Sequence, residues 1–267
     1  MLKKWLIAFF KKLGFAVKIT KLGVTEKFKI NSDKEGLSLY DTPTGKFYLP
    51  AYLKDDAVAN TIKSGLCFDE EIIEVAKKYF KPGTALLDIG ANYGQMSVVL
   101  AKHIEDKGGK VYSFEAEPFV GQVLKSNVDI NNCKNIEIVL GAVYYKAGEK
   151  VVFPEPDFKR FAAFGSYGID PLAKEGRTIE TITVDSLQIK EPVSFIKVDI
   201  QGSDLFALQG ARETILKNKP AIIFEFEEQF QEEFKTSFND YVEFVRSINY
   251  KFARTYMEIN YLIVPNE

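Results

Sequence analysis

The stretch Leu86-Leu87-Asp88-Ile89-Gly90-Ala91-Asn92-Tyr93-Gly94 joins a short apolar run to two closely spaced glycines. The apolar run predicts a buried strand, and the residues that follow Gly94 have the apolar spacing of a helix. Because Gly90 and Gly94 carry no Cβ and can adopt positive φ, the backbone between strand and helix can approach a bound molecule closely. The unpaired N–H groups at the start of that helix favour an anionic group, either a phosphate or a carboxylate.

A second predicted strand, Lys110-Val111-Tyr112-Ser113-Phe114, ends in Glu115. In a doubly wound α/β fold, an acid about 20 residues after the glycine turn accepts hydrogen bonds from a ribose. The glycines are spaced G-x-x-x-G and not as the dinucleotide fingerprint, which indicates a nucleoside without a pyrophosphate. S-adenosylmethionine fits this pattern, with its tail carboxylate at the helix N-terminus and its ribose on Glu115. Adenine is then expected beside Gly141 and Ala142, with Phe114 and Ala116 as apolar walls.

The remaining pattern alternates between strands and helices, which indicates a parallel sheet. We predict strands at 85–90, 110–115, 136–142, 194–200 and 220–226, with helices at 94–104, 118–130 and 203–217. A further helix is predicted from an N-cap at Asp69 to Lys78. Residues 238–264 predict a helix followed by paired strands. The fold class is therefore α/β, a Rossmann-like, doubly wound and mostly parallel sheet.

The length of 267 residues fits one α/β domain with an N-terminal extension. We predict a basic helix and cap over residues 1–68 and a cofactor-binding domain over residues 69–267. Within that domain the alternation breaks, and two β-like runs flank a loop rich in glycine and aromatic residues. A loop of this length is usually functional, so we predict an inserted lid over the acceptor at about residues 150–184. The alternative is an aromatic cluster that only closes the domain. The aromatic residues concerned are Phe158, Phe161, Phe164 and Tyr167.

Composition limits the classes of partner. A net charge of −2 gives no general attraction to nucleic acid, so no nucleic-acid partner is expected. Cys67 and Cys133 lie far apart and lack metal-ligand spacing, which is typical of reduced thiols in a cytosolic protein. No metal site is predicted from spacing, although Asp199, Asp204 and Glu225 could meet around one divalent ion in the folded chain.

Residues 1–21 hold six lysines and no acid, interleaved with apolar residues. The apolar run is too short to span a membrane, and no signal-peptide cleavage site follows it. Two interpretations stay open. The segment is a basic helix that lies on an anionic membrane surface, or it packs on the domain or on a second subunit. The expected location is cytoplasmic, either free or peripheral at the inner face of the membrane.

Four segments together resemble the FkbM family of S-adenosylmethionine-dependent methyltransferases, over roughly residues 47–228. They are Asp88-Ile89-Gly90-Ala91-Asn92-Tyr93-Gly94, Phe114-Glu115-Ala116-Glu117-Pro118, Lys197-Val198-Asp199-Ile200-Gln201-Gly202-Ser203-Asp204, and Glu225 at the end of the next strand. The resemblance implies a class I methyltransferase fold and an O-methyltransferase that acts on a hydroxyl of a sugar, a sugar nucleotide or another small metabolite. The cofactor-binding residues are then Asp88, Gly90, Ala91, Asn92, Tyr93, Gly94, Glu115, Ala116, Gly141 and Ala142.

The sequence departs from the family pattern at Gln201 and Asp204, where the pattern has glutamate. Because an amide does not titrate at neutral pH, we assign the acid–base role to Asp199, at the end of a strand. Lys197 is expected on the same face, where it orients the acceptor, lowers the pKa of Asp199 or forms a structural ion pair. Glu225 either positions the acceptor hydroxyl or serves as a buried support.

Other candidates are set aside. His103 lies at the far end of a helix, and Asp185 is expected to cap a helix. Two alternative functions stay open on the sequence: a nicotinamide-dependent oxidoreductase, and a non-catalytic S-adenosylmethionine-binding module, which Gln201 makes conceivable.

Overall fold

The computed structural model describes residues 36–53, 55–155, 163–173 and 175–266. The basic segment 1–21 and the lid residues Phe158 and Phe161 lie outside these ranges, so the predictions made for them stay predictions. Within the described part of the chain, no helix is both long enough and apolar enough to cross a membrane.

The first described elements form a small cap. An antiparallel hairpin of β1 (Leu37–Thr42) and β2 (Gly45–Pro50) turns at Pro43 and Thr44 and is followed by α1 (Ala57–Lys63) and α2 (Glu70–Tyr79). The hairpin is held by Asn127, whose side chain bonds both the N–H and the carbonyl of Tyr48. Sequence analysis did not predict α1.

The main sheet follows in alternation with helices. Its elements are β3 (Ala85–Ile89), α3 (Gln95–Ile104), β4 (Lys110–Glu115), α4 (Pro118–Ile130) and β5 (Ile136–Leu140), and then, after an insertion, β9 (Val193–Val198), α5 (Asp204–Gln209), α6 (Arg212–Asn218), β10 (Ala221–Glu225), α7 (Glu228–Phe234), α8 (Phe238–Ser247), β11 (Tyr250–Tyr256) and β12 (Asn260–Pro265). The insertion holds β6 (Ala142–Val143), β7 (Lys150–Phe153) and β8 (Arg177–Ile182) in a separate sheet of order β6-β8-β7.

The seven-stranded sheet has the order β5-β4-β3-β9-β10-β12-β11. Its first five strands pair in parallel, whereas β12 pairs antiparallel with both β10 and β11. Since the chain winds outward from β3 to β5 and then returns to β9, the strand order reverses between β3 and β9. Ligands bind at such a switch point, outside the carboxyl ends of the strands. The predicted doubly wound, mostly parallel sheet is confirmed.

Helices cover both faces of this sheet. The face that carries α2, α3 and α4 buries one apolar cluster, which includes Ile72, Val98 and Leu124. The opposite face buries a second cluster under α5, α6 and α8, which includes Leu208 and Val245. The predicted helix over 203–217 is divided into α5 and α6 at Gly210 and Ala211. Gly210 passes close to Tyr144, where a Cβ would lie 1.9 Å from the carbonyl oxygen of Tyr144. The helix α7 was not predicted.

Candidate cofactor and acceptor site

A cleft that is open to solvent lies at the carboxyl ends of β3, β4 and β9. The cleft therefore occupies the switch point of the sheet. Every predicted cofactor residue lines it, as do Lys197 and Asp199: the cofactor residues are Asp88, Gly90, Ala91, Asn92, Tyr93, Gly94, Glu115, Ala116, Gly141 and Ala142.

The turn between β3 and α3 depends on its two glycines. Gly90 has a φ of 88°, and a Cβ there would lie 1.9 Å from the carbonyl oxygen of Asp199. Gly94 has a φ of 83°, and its Cβ would lie 2.4 Å from a methyl carbon of Leu124. Larger residues would therefore both strain the backbone and push the loop away from the strand and helix beside it.

Glu115 is held in place by the backbone around it. One of its carboxyl oxygens accepts the N–H of Asn92 at 2.9 Å, and the other accepts the N–H groups of Ala116 and Glu117 at 2.8 and 2.9 Å. Burial raises the pKa of Glu115 to about 7, against the lowering effect of these three donors. The oxygen bonded by Asn92 has a second lone pair, so the group can still accept one hydroxyl of a ribose.

Tyr93 ties the loop to the cap. Its ring has no exposed surface, and its hydroxyl donates to Asp56 at 2.7 Å. Asp56 also caps α1 by accepting the N–H of Ala59 at 2.8 Å. Tyr93 is one of the predicted cofactor-binding residues, and it lines the cleft. Its buried ring also anchors the loop against the cap.

The lid covers the same cleft. Phe153, Phe164 and Tyr167 line it, and Phe164 packs against Phe119 with a centroid distance of 5.0 Å. At the base of the lid, Arg177 donates to Glu117 at 2.7 Å. Glu117 also caps α4, so this ion pair ties the inserted sheet to the cofactor-binding half.

Lys197 occupies the floor of the cleft between two acids. It lies opposite Asp88 in the register of β9 and β3. Its Nζ donates to the carbonyl of Gly90 at 3.1 Å and lies 3.3 Å from Asp199 Oδ2 and 3.8 Å from Asp88 Oδ1. Burial alone would lower the pKa of Lys197, but these carboxylates hold it above its ordinary value. The predicted shared face of Lys197 and Asp199 therefore appears as a buried ion pair.

Asp199 and Gln201 line the cleft, whereas the predicted Glu225 does not and reaches it only through Gln201 and Asp199. The Gln201 amide nitrogen lies 3.3 Å from Asp199 Oδ1 and 3.4 Å from Glu225 Oε2. Burial would raise the pKa of Asp199, yet Lys197 and hydrogen bonds from Glu225, Lys197 and Gln201 hold it below its usual range. Burial and the charge of Asp199 raise the pKa of Glu225 well above its ordinary value. Of these two acids, Asp199 loses its proton more readily, and Glu225 holds the proton that it donates to Asp199.

Two other acids lie in this region: Asp69, which lines the cleft, and Asp204, which does not. Asp69 was predicted to cap α2, but its side chain forms no cap hydrogen bond and lines the cleft. Asp204 is fully buried, and burial together with the charge of Asp199 raises its pKa to about 7. Sequence analysis missed Asp69 because its position before a helix is also the ordinary position of a cap.

The residues set aside in the sequence lie where expected. His103 is in the last turn of α3 and does not line the cleft. Asp185 accepts the N–H groups of Glu213 and Thr214 at 2.9 and 2.8 Å, so it caps α6. Among the described residues, no group of three or more His, Cys, Asp or Glu has the arrangement of a metal site.

A model of the FkbM methyltransferase domain matches residues 88–252, which include the glycine turn, Glu115, Asp199 and Glu225. The chain belongs to the FkbM methyltransferase family. Its cofactor is S-adenosylmethionine, as the sequence predicted. Membership of the FkbM family favours methyl transfer over the nicotinamide-dependent alternative.

Solved structures show more distant likenesses. An FkbM methyltransferase from Methylobacillus flagellatus is 20% identical over 79% of this chain and 56% of that chain, with a TM-score of 0.46. The chain therefore spans little more than half the length of that protein. A precorrin-6y C5,15-methyltransferase from Geobacter metallireducens is 14% identical over 74% and 89% of the two chains, with a TM-score of 0.42. A tRNA (uracil-54, C5)-methyltransferase from Pyrococcus abyssi is 12% identical over 88% and 48%, with a TM-score of 0.44. No curated protein matches the sequence.

The residues of this FkbM chain fit the cofactor. The glycine turn leaves room that a Cβ would fill, and Glu115 retains acceptor capacity beside it. Asp88 Oδ1 is buried without a hydrogen-bond partner among the described residues, as an acceptor that faces a cationic ligand would be. The glycine turn, Glu115 and Asp88 would therefore hold the cofactor, with the apolar walls of Ala116 and Ala142 beside it.

Proposed function

We propose that this FkbM-family protein transfers a methyl group to a hydroxyl of a sugar or another small hydroxylated metabolite, with Asp199 as general base. The observation that supports the proposal is the position of Asp199. Its carboxylate lines the same cleft as the Gly90–Gly94 turn, is 25% exposed, and lies 3.3 Å from the Lys197 ammonium. The carboxylate is thus accessible to an acceptor, and the Lys197 ammonium stabilises its charge.

The chemistry requires a group of this kind. When bound, S-adenosylmethionine supplies a methyl group activated by its sulfonium. An alcohol must lose its proton as it accepts that group, and a positioned base contributes about 10²- to 10⁴-fold to the rate. Because Lys197 and the donors around it keep the pKa of Asp199 low, the carboxylate is ionised at neutral pH and can receive the proton.

Lys197 and Glu225 act as positioning residues in this proposal. Lys197 holds one oxygen of Asp199, while Gln201 and the neutral Glu225 donate to the carboxylate from the other side. A base fixed in this way keeps the acceptor oxygen oriented, and orientation is worth up to about 7–11 kcal/mol in well-aligned reactions.

The charge of the cleft supports a neutral acceptor. Lys197 is the only Lys, Arg or His among the described residues that line the cleft, and it is already paired with Asp88 and Asp199. Acids predominate around it. Neutral hydroxyls suit such a surface better than phosphates do, because like charges repel across a partly desolvated cleft.

The protein should be incubated with labelled S-adenosylmethionine in separate reactions, one with free sugars, one with sugar nucleotides and one with total tRNA. The products of each reaction are analysed by mass spectrometry. We expect a stable methyl ether on a sugar. Asp199→Asn should lower kcat at least 10²-fold while the dissociation constant for S-adenosylhomocysteine changes less than about twofold. Glu180→Gln, which removes an exposed carboxylate outside the cleft, is the matched control.

Three results would contradict the proposal. Full activity of Asp199→Asn would remove Asp199 from its role as base. If tRNA were the only acceptor methylated, the acceptor would be a nucleic acid and not a sugar or another small metabolite. A wild-type protein that binds the cofactor but methylates none of these acceptors would favour the non-catalytic binding module.

A further inference from the structure

Asp69 points to a function that its sequence position does not suggest. Its φ of 53° is left-handed, which is uncommon for a residue other than glycine, and its side chain does not cap α2. The carboxylate lines the cofactor cleft and forms no hydrogen bond with the described residues. A charged group in such a position lacks a partner of its own.

The segment that carries Asp69 is fixed beside the start of α3. Gln95, the first residue of α3, accepts the N–H of Phe68 at 2.8 Å and donates to the carbonyl of Leu66 at 2.9 Å. Gln95 is buried, so these bonds are shielded from water. Asp69 is therefore held next to the helix N-terminus, where a carboxylate of a ligand is favoured.

This corner of the cleft has more acids than cations. Asp69 is close enough to Asp88 and Asp199 for their charges to raise its pKa, and the charge of Lys197 lowers it. Asp88 is almost fully buried, and its Oδ1 has no hydrogen-bond partner among the described residues although it faces Lys197 at 3.8 Å. A buried acceptor without a donor is costly, by about 1–3 kcal/mol, unless a ligand supplies the donor. The corner thus has the charge and the acceptors for one more cation.

We propose that Asp69, together with the unpartnered oxygen of Asp88, binds the α-ammonium group of the cofactor's methionine tail. In an α-amino acid the ammonium and carboxylate groups share one carbon, so the ammonium acceptor must lie beside the carboxylate site. Asp69 meets this condition because Gln95 holds its segment against α3. The proposal concerns the cofactor alone and goes beyond the proposed function, since it holds for any acceptor.

Calorimetric binding of two ligands tests this assignment. S-adenosylhomocysteine carries the amino-acid tail, whereas 5′-methylthioadenosine lacks it. Asp69→Asn should weaken S-adenosylhomocysteine about 10- to 100-fold, as expected for loss of a charged hydrogen bond, and change 5′-methylthioadenosine less than about twofold. Glu70→Gln removes the neighbouring exposed carboxylate of α2 and should leave both affinities at the wild-type value.

A second measurement uses the wild-type chain and does not depend on the folding of a variant. Burial raises the pKa of Asp69 to about 6. A bound ammonium would lower it, so S-adenosylhomocysteine should release protons on binding at pH 6, measurable as a dependence of the binding heat on the buffer. Equal weakening of both ligands by Asp69→Asn, or no weakening of either, would overturn the proposal. Absence of proton release in the wild type would also overturn it.

Discussion

Gln201 is the residue at which this chain departs most clearly from the pattern of its family. Its amide lies within 3.4 Å of both Asp199 and Glu225, and its backbone φ of 55° turns the side chain back toward them. A carboxyl at this position would remove the donor and add a third acid to two that already share one proton. The amide therefore adds to the effect of Lys197 and Glu225, which lower the pKa of Asp199.

Gln201→Glu should lower the free energy of unfolding by about 1–3 kcal/mol at pH 8, because a half-buried donor becomes a like charge. For a chain of this size each kcal/mol corresponds to about 2–4 °C in Tm. Thermal unfolding at pH 8, with a chelator present, measures the loss.

The matched control exchanges the two groups. Gln201→Glu combined with Glu225→Gln moves the amide to position 225, so the cluster with Asp199 again holds one amide and two carboxyl groups. This double variant should recover most of the lost stability. If the single variant melts at the wild-type temperature, or the double variant melts lower than the single one, the amide is not the stabilising feature.

At the scale of elements, α4 joins the cap to the cofactor turn through one buried side chain. Asn127 bonds Tyr48 of β2 on both its N–H and its carbonyl, and its amide also donates to the carbonyl of Tyr93 at 2.9 Å. Asn131, one turn later, bonds only Lys46 of the same strand among the cap residues and is more exposed. The two asparagines thus hold the same hairpin, but only one reaches the cofactor turn.

Asn127→Ala should destabilise the chain by about 2–4 kcal/mol and weaken S-adenosylhomocysteine several-fold, since the carbonyl of Tyr93 loses its donor. Asn131→Ala should cost about 1 kcal/mol and leave the affinity unchanged. Chemical denaturation and calorimetry give the two quantities. Equal losses of affinity in both variants would show that the hairpin as a whole, and not the bond to Tyr93, supports the turn.

The elements that the sequence predicted are those encoded by neighbouring residues. The strand, glycine turn and helix from Leu86 to Lys102 form one contiguous pattern, and the strand before Glu115 forms another. Both predictions hold because burial and φ requirements there are local. The C-terminal helix and paired strands were predicted for the same reason.

The features that were missed depend on distant contacts. At the break between α5 and α6, Gly210 passes close to Tyr144, and nothing within 203–217 encodes that contact. Asp69 has the local pattern of a cap, but the bond from Phe68 to Gln95 holds its segment over the cleft. The ring of Tyr93 is turned into the core by Asp56, 37 residues earlier. Tertiary partners decided each of these positions.

At the scale of the whole molecule, the sheet gathers buried acids at one edge. Four acids lie near the carboxyl ends of the parallel strands: Asp69, Glu115, Asp204 and Glu225. Burial raises the pKa of each of them. Asp199 differs from these four acids, because Lys197 and its hydrogen-bond donors lower its pKa. Folding therefore takes up protons near neutral pH.

The sign of the pH dependence follows from these shifts. An acid whose pKa is higher in the folded state stabilises the fold below its unfolded pKa of about 4, and this stability is lost as pH rises through the folded pKa. Asp199 acts in the opposite sense, but its contribution changes only below the usual range of carboxyl groups. Between pH 6 and pH 8 the raised acids dominate, so stability should fall as pH rises.

Asp204 gives the size of the expected change in the free energy of unfolding, because it is fully buried and its pKa is about 7. It alone should lower the free energy of unfolding by about 1.4 kcal/mol between pH 6 and pH 8, and Glu115 acts in the same direction. Tm measured at constant ionic strength should therefore be several degrees higher at pH 6 than at pH 8. Glu225→Gln, which imitates the neutral acid, should be at least as stable as the wild type at the highest pH. If Tm rises from pH 6 to pH 8 instead, these acids are ionised in the folded protein and paired with cations. The site would then have no surplus of acids, and the proposed ammonium site at Asp69 also depends on that surplus.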